Sequence, residues 1–351
     1  MSRIQNEGDK MKIGILTGGG DCPGLNAVIR AVVRRAAHYN YDVVGIKNGW
    51  AGLMGIDVEP LSVRSASGIL ARGGTILGTS RTNPFKDGEG AKKVIENIKR
   101  LGLGALIAVG GEDTLGVATA LSKMGISIVG VPKTIDNDLS ATDYTFGFDT
   151  AVNTAAEAID KLRTTAESHN RVMVVEVMGR HAGWIATYAG MAGGADYIMI
   201  PEAPFDINEV CAVIKTRRST GKLFSIIVVA EGAVPKEGSM VIQEKKVDEF
   251  GHVRLGGIGV QVAEEIEKRA GIETRYVILG HIQRGGSPSA FDRVLATRFG
   301  VRAVDLIKQG EWGRMVALRG NSIVAVPLEE ATAKLKTVDM EIYDVAKVFF
   351  D

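Results

Sequence analysis

The sequence predicts an α/β protein whose strands run mainly parallel and are covered by helices. From Met11 onward, short runs rich in β-branched residues alternate with longer stretches of helical period, and glycine or proline usually separates the two. The strand candidates also lack polar alternation, as expected of parallel strands buried on both faces. They are Ile13 to Leu16, Val43 to Ile46, Ala105 to Val109, Ile126 to Val131, Val172 to Val177, Tyr197 to Ile200, Ser225 to Ala230 and Tyr276 to Leu279. The clearest helix is expected from about Thr150 to His169. There Val152, Ala155, Ile159, Leu162 and Ala166 fall on one stripe, with Glu157, Lys161 and Arg163 off it. Alone, such a helix is scaffold.

Length sets the domain count. The 351 residues, at roughly 100–200 per domain, point to two lobes. No repeat, low-complexity tract or long linker divides them, so the boundary is soft and is placed near Gly147. One lobe is then 1–147 plus approximately 285–351, and the other 148–284. A content of 45% hydrophobic and 24% charged residues excludes a disordered chain and a coiled-coil rod. With 42 Lys and Arg against 41 Asp and Glu, no global field gathers nucleic acid or an anionic membrane, so any anion specificity is local. No segment reaches the ~18 apolar residues of a membrane helix, and the opening MSRIQNEGDK has no signal-peptide core. A soluble, cytoplasmic protein is expected. Cys22 and Cys211 are too few for a disulfide framework and lack metal spacing, which fits a reducing compartment and a role as small apolar fillers.

The 44 glycines fall at the ends of apolar runs rather than in linkers. In open α/β sheets ligands bind at the carboxyl ends of strands, so the residues that follow each strand are the ones to read. They are Gly18-Gly19-Gly20-Asp21, Gly110-Gly111-Glu112-Asp113, Pro132 to Asp138, Met178-Gly179-Arg180, Glu231-Gly232 and Gly280 to Gly286. The first half supplies carboxylates and glycines, and the second supplies Arg171, Arg180, Arg275, His281 and Arg284. One lobe handling a phosphoryl donor with its metal, and another gripping a phosphorylated acceptor, would account for that division.

Gly18-Gly19-Gly20 reads either as a phosphate cradle or as a simple tight turn. A dinucleotide fingerprint is broken by Pro23, and no Walker A sequence occurs. Glu112 with Asp113, and Asp136 with Asp138, place four carboxylates on loops that follow neighbouring strands, a cluster that calls for a hard divalent ion such as Mg2+. N-capping accounts for Asp113 or Asp138 but not for all four. Lys133 and the arginines in turn need an anion, and the guanidinium fork matches phosphate oxygens. Singly, Arg171 or Arg275 reads more readily as a surface ion pair; with His281 and Arg284 in a glycine-bounded loop, a sugar-phosphate grip explains them better. His38, His169 and His252 lack such a context and read as surface residues.

Taken together, TGGGDCPGLNAVIR at Thr17 to Arg30, GGTILGTSR at Gly73 to Arg81, PKTIDND at Pro132 to Asp138, VEVMGRHAGW at Val175 to Trp184 and GHIQRGGSPSAFDR at Gly280 to Arg293 resemble the 6-phosphofructokinases over roughly Met11 to Leu318. The resemblance implies two Rossmann-like lobes with fructose 6-phosphate bound between them, and phosphoryl transfer to its 1-hydroxyl. It implies that Asp136 is the general base and that Arg180 stabilises the transferring phosphoryl group. By the same resemblance Thr134, Asp136, Met178, Gly179, Arg180, Glu231, His281 and Arg284 line the sugar-phosphate pocket. Arg171 and Arg275 reach the 6-phosphate of a neighbouring subunit, which requires a homo-oligomer. Gly19, Arg81 and the Glu112 loop hold the donor phosphates, with Glu112 in the place of an acidic Mg2+ ligand. Arg30 and Arg34 match effector-binding positions of allosteric relatives, yet read equally as a solvated basic face.

Two positions bear on the donor. ATP-using members carry GGDG where this chain reads Gly110-Gly111-Glu112-Asp113, and PGTIDND where it reads PKTIDND. The Asp113 carboxylate would stand in the space of a nucleotide's α-phosphate. Two like charges ~4 Å apart at an effective dielectric of ~20 cost roughly 4 kcal/mol, about a thousandfold in affinity. Pyrophosphate has no α-phosphate, and Lys133 can hold it. The chain therefore resembles the pyrophosphate-dependent branch, with an ATP-dependent enzyme of the same fold as the alternative. A non-catalytic sugar-phosphate sensor is disfavoured because Asp136 and Arg180 are both present. The segment Gly320 to Asp351, ending in Val348, Phe349 and Phe350, is expected to dock on the body or on another subunit.

Overall fold

The computed structural model describes residues 10–86, 88–240 and 256–350. The opening polar residues up to Asp9, and His252, lie outside the described residues. The chain divides into two compact units: residues 1–134, 139–147 and 284–335 form unit 1, and residues 135–138, 148–283 and 336–351 form unit 2.

Unit 1 opens with β1 (Lys12–Thr17), α1 (Leu25–His38), β2 (Asp42–Ile46), α2 (Gly49–Gly55), β3 (Val58–Leu61) and α3 (Gly90–Arg100). It continues through β4 (Ala105–Gly110), α4 (Glu112–Lys123), β5 (Ile128–Thr134) and the two-residue β6 (Phe146–Gly147). Unit 2 follows with α5 (Phe148–His169), β7 (Val172–Val177), α6 (Trp184–Ala192), β8 (Tyr197–Met199), α7 (Ile207–Ser219), β9 (Ser225–Ala230), α8 (Ile258–Ala270) and β10 (Thr274–Ile278). The chain returns to unit 1 as α9 (Ala290–Gln309), β11 (Arg314–Arg319) and β12 (Ser322–Pro327), and ends in unit 2 as α10 (Met340–Lys347).

Unit 1 holds a sheet in the order β12-β11-β5-β4-β1-β2-β3, with β6 beside β5; only its two edge pairings, β11 with β12 and β2 with β3, are antiparallel. Unit 2 holds a parallel sheet in the order β10-β7-β9-β8. Every residue of β4, β5, β7 and β9 is buried, as their unbroken apolar runs require. Leu16, Leu106, Leu115 and Met315 centre one core, and Val174, Ile227, Val229 and Ile266 centre the other. Each such side chain contributes roughly 1.5–3 kcal/mol on burial. Caps fix the helix starts: the Asp206 carboxylate accepts the Asn208 N–H at 2.8 Å, and the Ser289 hydroxyl accepts the Asp292 N–H at 3.2 Å.

All eight strand candidates are strands, and α5 buries Ala155, Ile159 and Ala166 as its stripe predicts, with Val152 and Leu162 partly buried. Three departures are structural. β10 is an edge strand whose Tyr276 and Ile278, two positions apart and so on one face, are 49% and 45% exposed, and the expectation of burial on both faces fails there. β11 and β12 form a hairpin that pairs Arg319 with Ser322 across a Gly320-Asn321 turn, a sequence signal passed over in the C-terminal segment. Residues 336–351, expected in the first lobe, cluster with unit 2. The Tyr343 hydroxyl donates to the Ile198 carbonyl at 2.7 Å, Tyr197 stacks on Phe350, and Glu202 accepts the Val338 N–H at 2.9 Å. Cys22 and Cys211 are both buried free thiols. Burial pushes the Cys22 thiol up to about 12, which leaves it inert. No helix among the described residues is long and apolar enough to cross a membrane.

Candidate active site

In unit 1 the carboxyl ends of β1, β4 and β5 lie side by side and place their following loops together. Gly18 N–H donates to the Val109 carbonyl and Gly19 N–H to the Ser80 carbonyl, each at 3.0 Å, which lays the Gly73 to Arg81 loop along the glycine turn. Thr114 fills the space that a Cβ on Gly18 or Gly110 would need, coming within 2.5 Å and 2.3 Å of those positions. Gly19 has a φ of 78°, and a Cβ there would stand 3.5 Å from the Lys133 ammonium. Lys133 is buried, and its ammonium donates to the Gly20 carbonyl. Arg284 reaches the same turn and donates to the Asp21 carbonyl at 3.3 Å. A cation beside close-approaching backbone is what an anion cradle needs. Arg284, expected among the sugar-pocket residues of the second lobe, thus clusters with unit 1, as does Thr134 at the end of β5.

Glu112 and Asp113 form the first turn of α4. Both line an open cleft of about 390 Å³ with Asn83, Phe85, Gly116, Val117 and Thr332. Glu112 is exposed, Asp113 half-buried and Arg81 exposed. Among the described residues no three His, Cys, Asp or Glu side chains gather as metal ligands would. Asp136 and Asp138 instead belong to the Ile135 to Asp138 segment that clusters with unit 2. A single exposed carboxylate on a cleft still fits Mg2+, which keeps several waters and is bound through one or two carboxylates plus substrate phosphates.

In unit 2 the site is built on the ends of β7 and β9. The Glu231 N–H donates to the Val177 carbonyl at 2.8 Å, and the Glu231 carboxylate accepts the Arg180 N–H at 3.0 Å. Burial, and then the nearby Asp136 carboxylate, push Glu231 up to about 7. Asp136 is buried, and the neighbouring Asn137 takes a left-handed φ of 51° that turns the chain there. Gly179 and Arg180 have φ of 145° and 56°, and for an arginine the left-handed region costs roughly 1–2 kcal/mol. The Met178 N–H donates to Gln283 Oε1 at 2.9 Å, while His281 is exposed. Arg171 and Arg275 both pair with Glu273, at 2.9 Å and 2.5 Å. The Arg171 hydrogen bond holds Glu273 below the usual carboxylate range.

A family model described as Phosphofructokinase matches residues 12–307. The chain belongs to the phosphofructokinase family. Over 342 residues this phosphofructokinase is 60% identical to the pyrophosphate–fructose 6-phosphate 1-phosphotransferase of Streptomyces coelicolor, covering 97% of this chain and 100% of that protein. It is also 55% identical over 341 residues to the ATP-dependent 6-phosphofructokinase 2 of the same organism, again covering 97% of this chain and 100% of that one. Among solved structures, the phosphofructokinase of Saccharomyces cerevisiae matches with a TM-score of 0.81 at 34% identity, over 97% of this chain and 47% of that chain. This phosphofructokinase thus spans about half the length of the yeast chain. Sequence reasoning missed Gln283, although it lies inside the Gly280 to Arg293 motif, and missed Asn83, Phe85 and Thr332 of the cleft. Asn83 and Phe85 follow Arg81 directly and were within reach of a longer reading of that loop, whereas nothing local marks Thr332.

Proposed function

We propose that this phosphofructokinase transfers a phosphoryl group from pyrophosphate to the 1-hydroxyl of fructose 6-phosphate, giving fructose 1,6-bisphosphate and phosphate, and that it runs in both directions. The sugar oxygen forms the new bond to phosphorus as the bridging P–O bond of pyrophosphate breaks, and inorganic phosphate leaves. Asp136 accepts the hydroxyl proton, and Arg180 offsets charge on the transferring group. Thr134, Met178, Gly179, Glu231, His281 and Arg284 hold the sugar phosphate. Lys133, Gly19 and Arg81 hold the donor. Glu112 is the residue that would hold Mg2+, which when bound would offset phosphate charge.

The observation that carries the choice of donor is the Asp113 carboxylate, half-buried on the first turn of α4 and lining the cleft beside Glu112. A third phosphate there meets like charge, and the two-phosphate donor avoids it. The ATP-dependent relative at 55% identity favours a second reading, in which Asp113 turns aside and ATP is the donor. Turnover measured with equal concentrations of the two donors separates them. Pyrophosphate is expected to be used faster, and Asp113→Gly is expected to raise kcat/KM for ATP by up to about a thousandfold. Faster use of ATP by the unaltered protein, or no gain with Asp113→Gly, would overturn pyrophosphate as the donor.

The enzyme is further proposed to work as a homo-oligomer in the cytoplasm. The exposed Tyr276 and Ile278 on edge strand β10 support a contact with a second copy, and Tyr276 directly follows Arg275. Arg171 and Arg275, anchored by Glu273, would then serve the neighbouring subunit's 6-phosphate.

A further inference from the structure

The turn that carries Arg180 is held in a disfavoured backbone conformation by groups from two other loops. A side-chain-bearing residue stays in the left-handed region only where its surroundings over-determine it, and such residues collect at ligand clamps and active sites. Arg180, at φ 56°, is fixed from both of its backbone sides. Its N–H donates to Glu231 Oε1 at 3.0 Å. Its carbonyl lies so close to Gly232 that a Cβ on that glycine would stand 1.9 Å from the oxygen. Two residues earlier, the Met178 N–H is held by Gln283 Oε1 at 2.9 Å. The turn itself closes through Ala182 N–H on the Gly179 carbonyl at 3.0 Å.

Gln283 adds a second observation. It is fully buried, and its Nε2 has no acceptor among the described residues. A buried donor left unmet is destabilising, so an amide at this place is retained for what its oxygen holds. The other end of Arg180 is treated differently. The residue is half-buried, and among the described residues its guanidinium makes no ion pair. The backbone is clamped from behind while the charged end is left to an incoming group.

We infer that Gly232 and Gln283 are positioning residues for Arg180: together with the Glu231 carboxylate they clamp the Met178 to Arg180 turn and so aim the guanidinium at the transferring phosphoryl group. The inference rests on the reading of Arg180 given above. Electrostatic stabilisation of a transition state depends on groups set in place beforehand, and a displacement of about 1 Å can cost on the order of a hundredfold in rate.

The test is a double-mutant cycle on the full chain, assayed with Mg2+, pyrophosphate and fructose 6-phosphate, with thermal unfolding followed in parallel. Arg180→Ala is expected to lower kcat by about a thousandfold or more. Gly232→Ala is expected to lower kcat about a hundredfold in the unaltered protein but less than about threefold in the Arg180→Ala background, because the group it aims is gone. Gln283→Met is expected to show the same dependence on Arg180, with a melting temperature close to the parent's, and it decides the matter if Gly232→Ala does not fold. Equal losses in both backgrounds mark residues that merely support the fold, and would overturn the inference while leaving the assignment of Arg180 intact. An Arg180→Ala enzyme as fast as the parent would instead overturn the reading of the site on which the inference stands.

Discussion

Glu231 is a carboxylate that keeps its proton longer than it would in water. Its folded value of about 7, against an ordinary 4.5, reflects burial first and the Asp136 charge second, opposed by the backbone N–H groups of Arg180 and Gly179. The sign follows from proton uptake. Between 4.5 and about 7 the folded state binds the proton more tightly than the unfolded chain does, so this contribution to stability is complete at low pH and is lost as pH rises through about 7. At about 1.4 kcal/mol per pH unit the loss is on the order of 3 kcal/mol. Denaturant midpoints measured from pH 4.5 to 8 should therefore fall in the parent relative to Glu231→Gln, which cannot ionise; a constant difference between the two would count against the burial. At this scale the candidate residues could be named from the sequence. By the resemblance, Asp113 sets a whole charge where ATP-using members carry glycine, a difference that needs no fold to be noticed. That it lines a cleft beside Phe85 and Thr332 required coordinates, because those residues are far apart in the chain.

Among elements, the C-terminal helix illustrates how a segment is placed by contacts that its own pattern does not encode. The α10 helix is capped by the Asp339 carboxylate, which accepts the Glu341 N–H at 3.0 Å, and is pinned to β8 by Tyr343. Burial pushes the Tyr343 hydroxyl far above its ordinary range, as expected of a group that donates to a carbonyl in a dry setting. Tyr343→Phe leaves the Ile198 carbonyl unmet and should cost about 1–3 kcal/mol, whereas Tyr343→Ala also opens a cavity and should cost about 3–5 kcal/mol. Thermal unfolding of both variants checks this, and equal melting temperatures for the parent and Tyr343→Ala would show that α10 is not docked there. The apolar ending Val348-Phe349-Phe350 announced docking but not its partner. Only Phe350 turns inward, onto Tyr197 and Tyr343, while Val348 and Phe349 stay exposed. The buried strands were readable because burial on both faces leaves an unbroken apolar run. β3 and β12 lie at the sheet edges and carry weaker patterns, whereas β11, interior to its sheet and buried from Met315 to Leu318, goes unread despite its apolar run.

For the whole molecule, a net charge of +1 gives little self-repulsion, and edge strand β10 presents Tyr276 and Ile278 to solvent. If a second copy covers that edge, sedimentation at assay concentrations should report at least a dimer. Replacing both residues, as Tyr276→Lys with Ile278→Lys, should shift the protein toward the monomer and raise KM for fructose 6-phosphate, since Arg275 sits on the same strand. A fully active parent that sediments as a monomer would remove the proposal that Arg171 and Arg275 serve a neighbour.

The α/β class and the positions of the buried strands were determined by the sequence alone, because apolar runs and glycine turns are local properties. The tertiary structure decided which distant groups meet. It brought Gln283 to the Met178 amide across 105 positions, set Arg180 in a left-handed turn, and drew residues 336–351 to unit 2. Those outcomes depend on packing between segments remote in the chain, about which neither the helical nor the strand period carries any information.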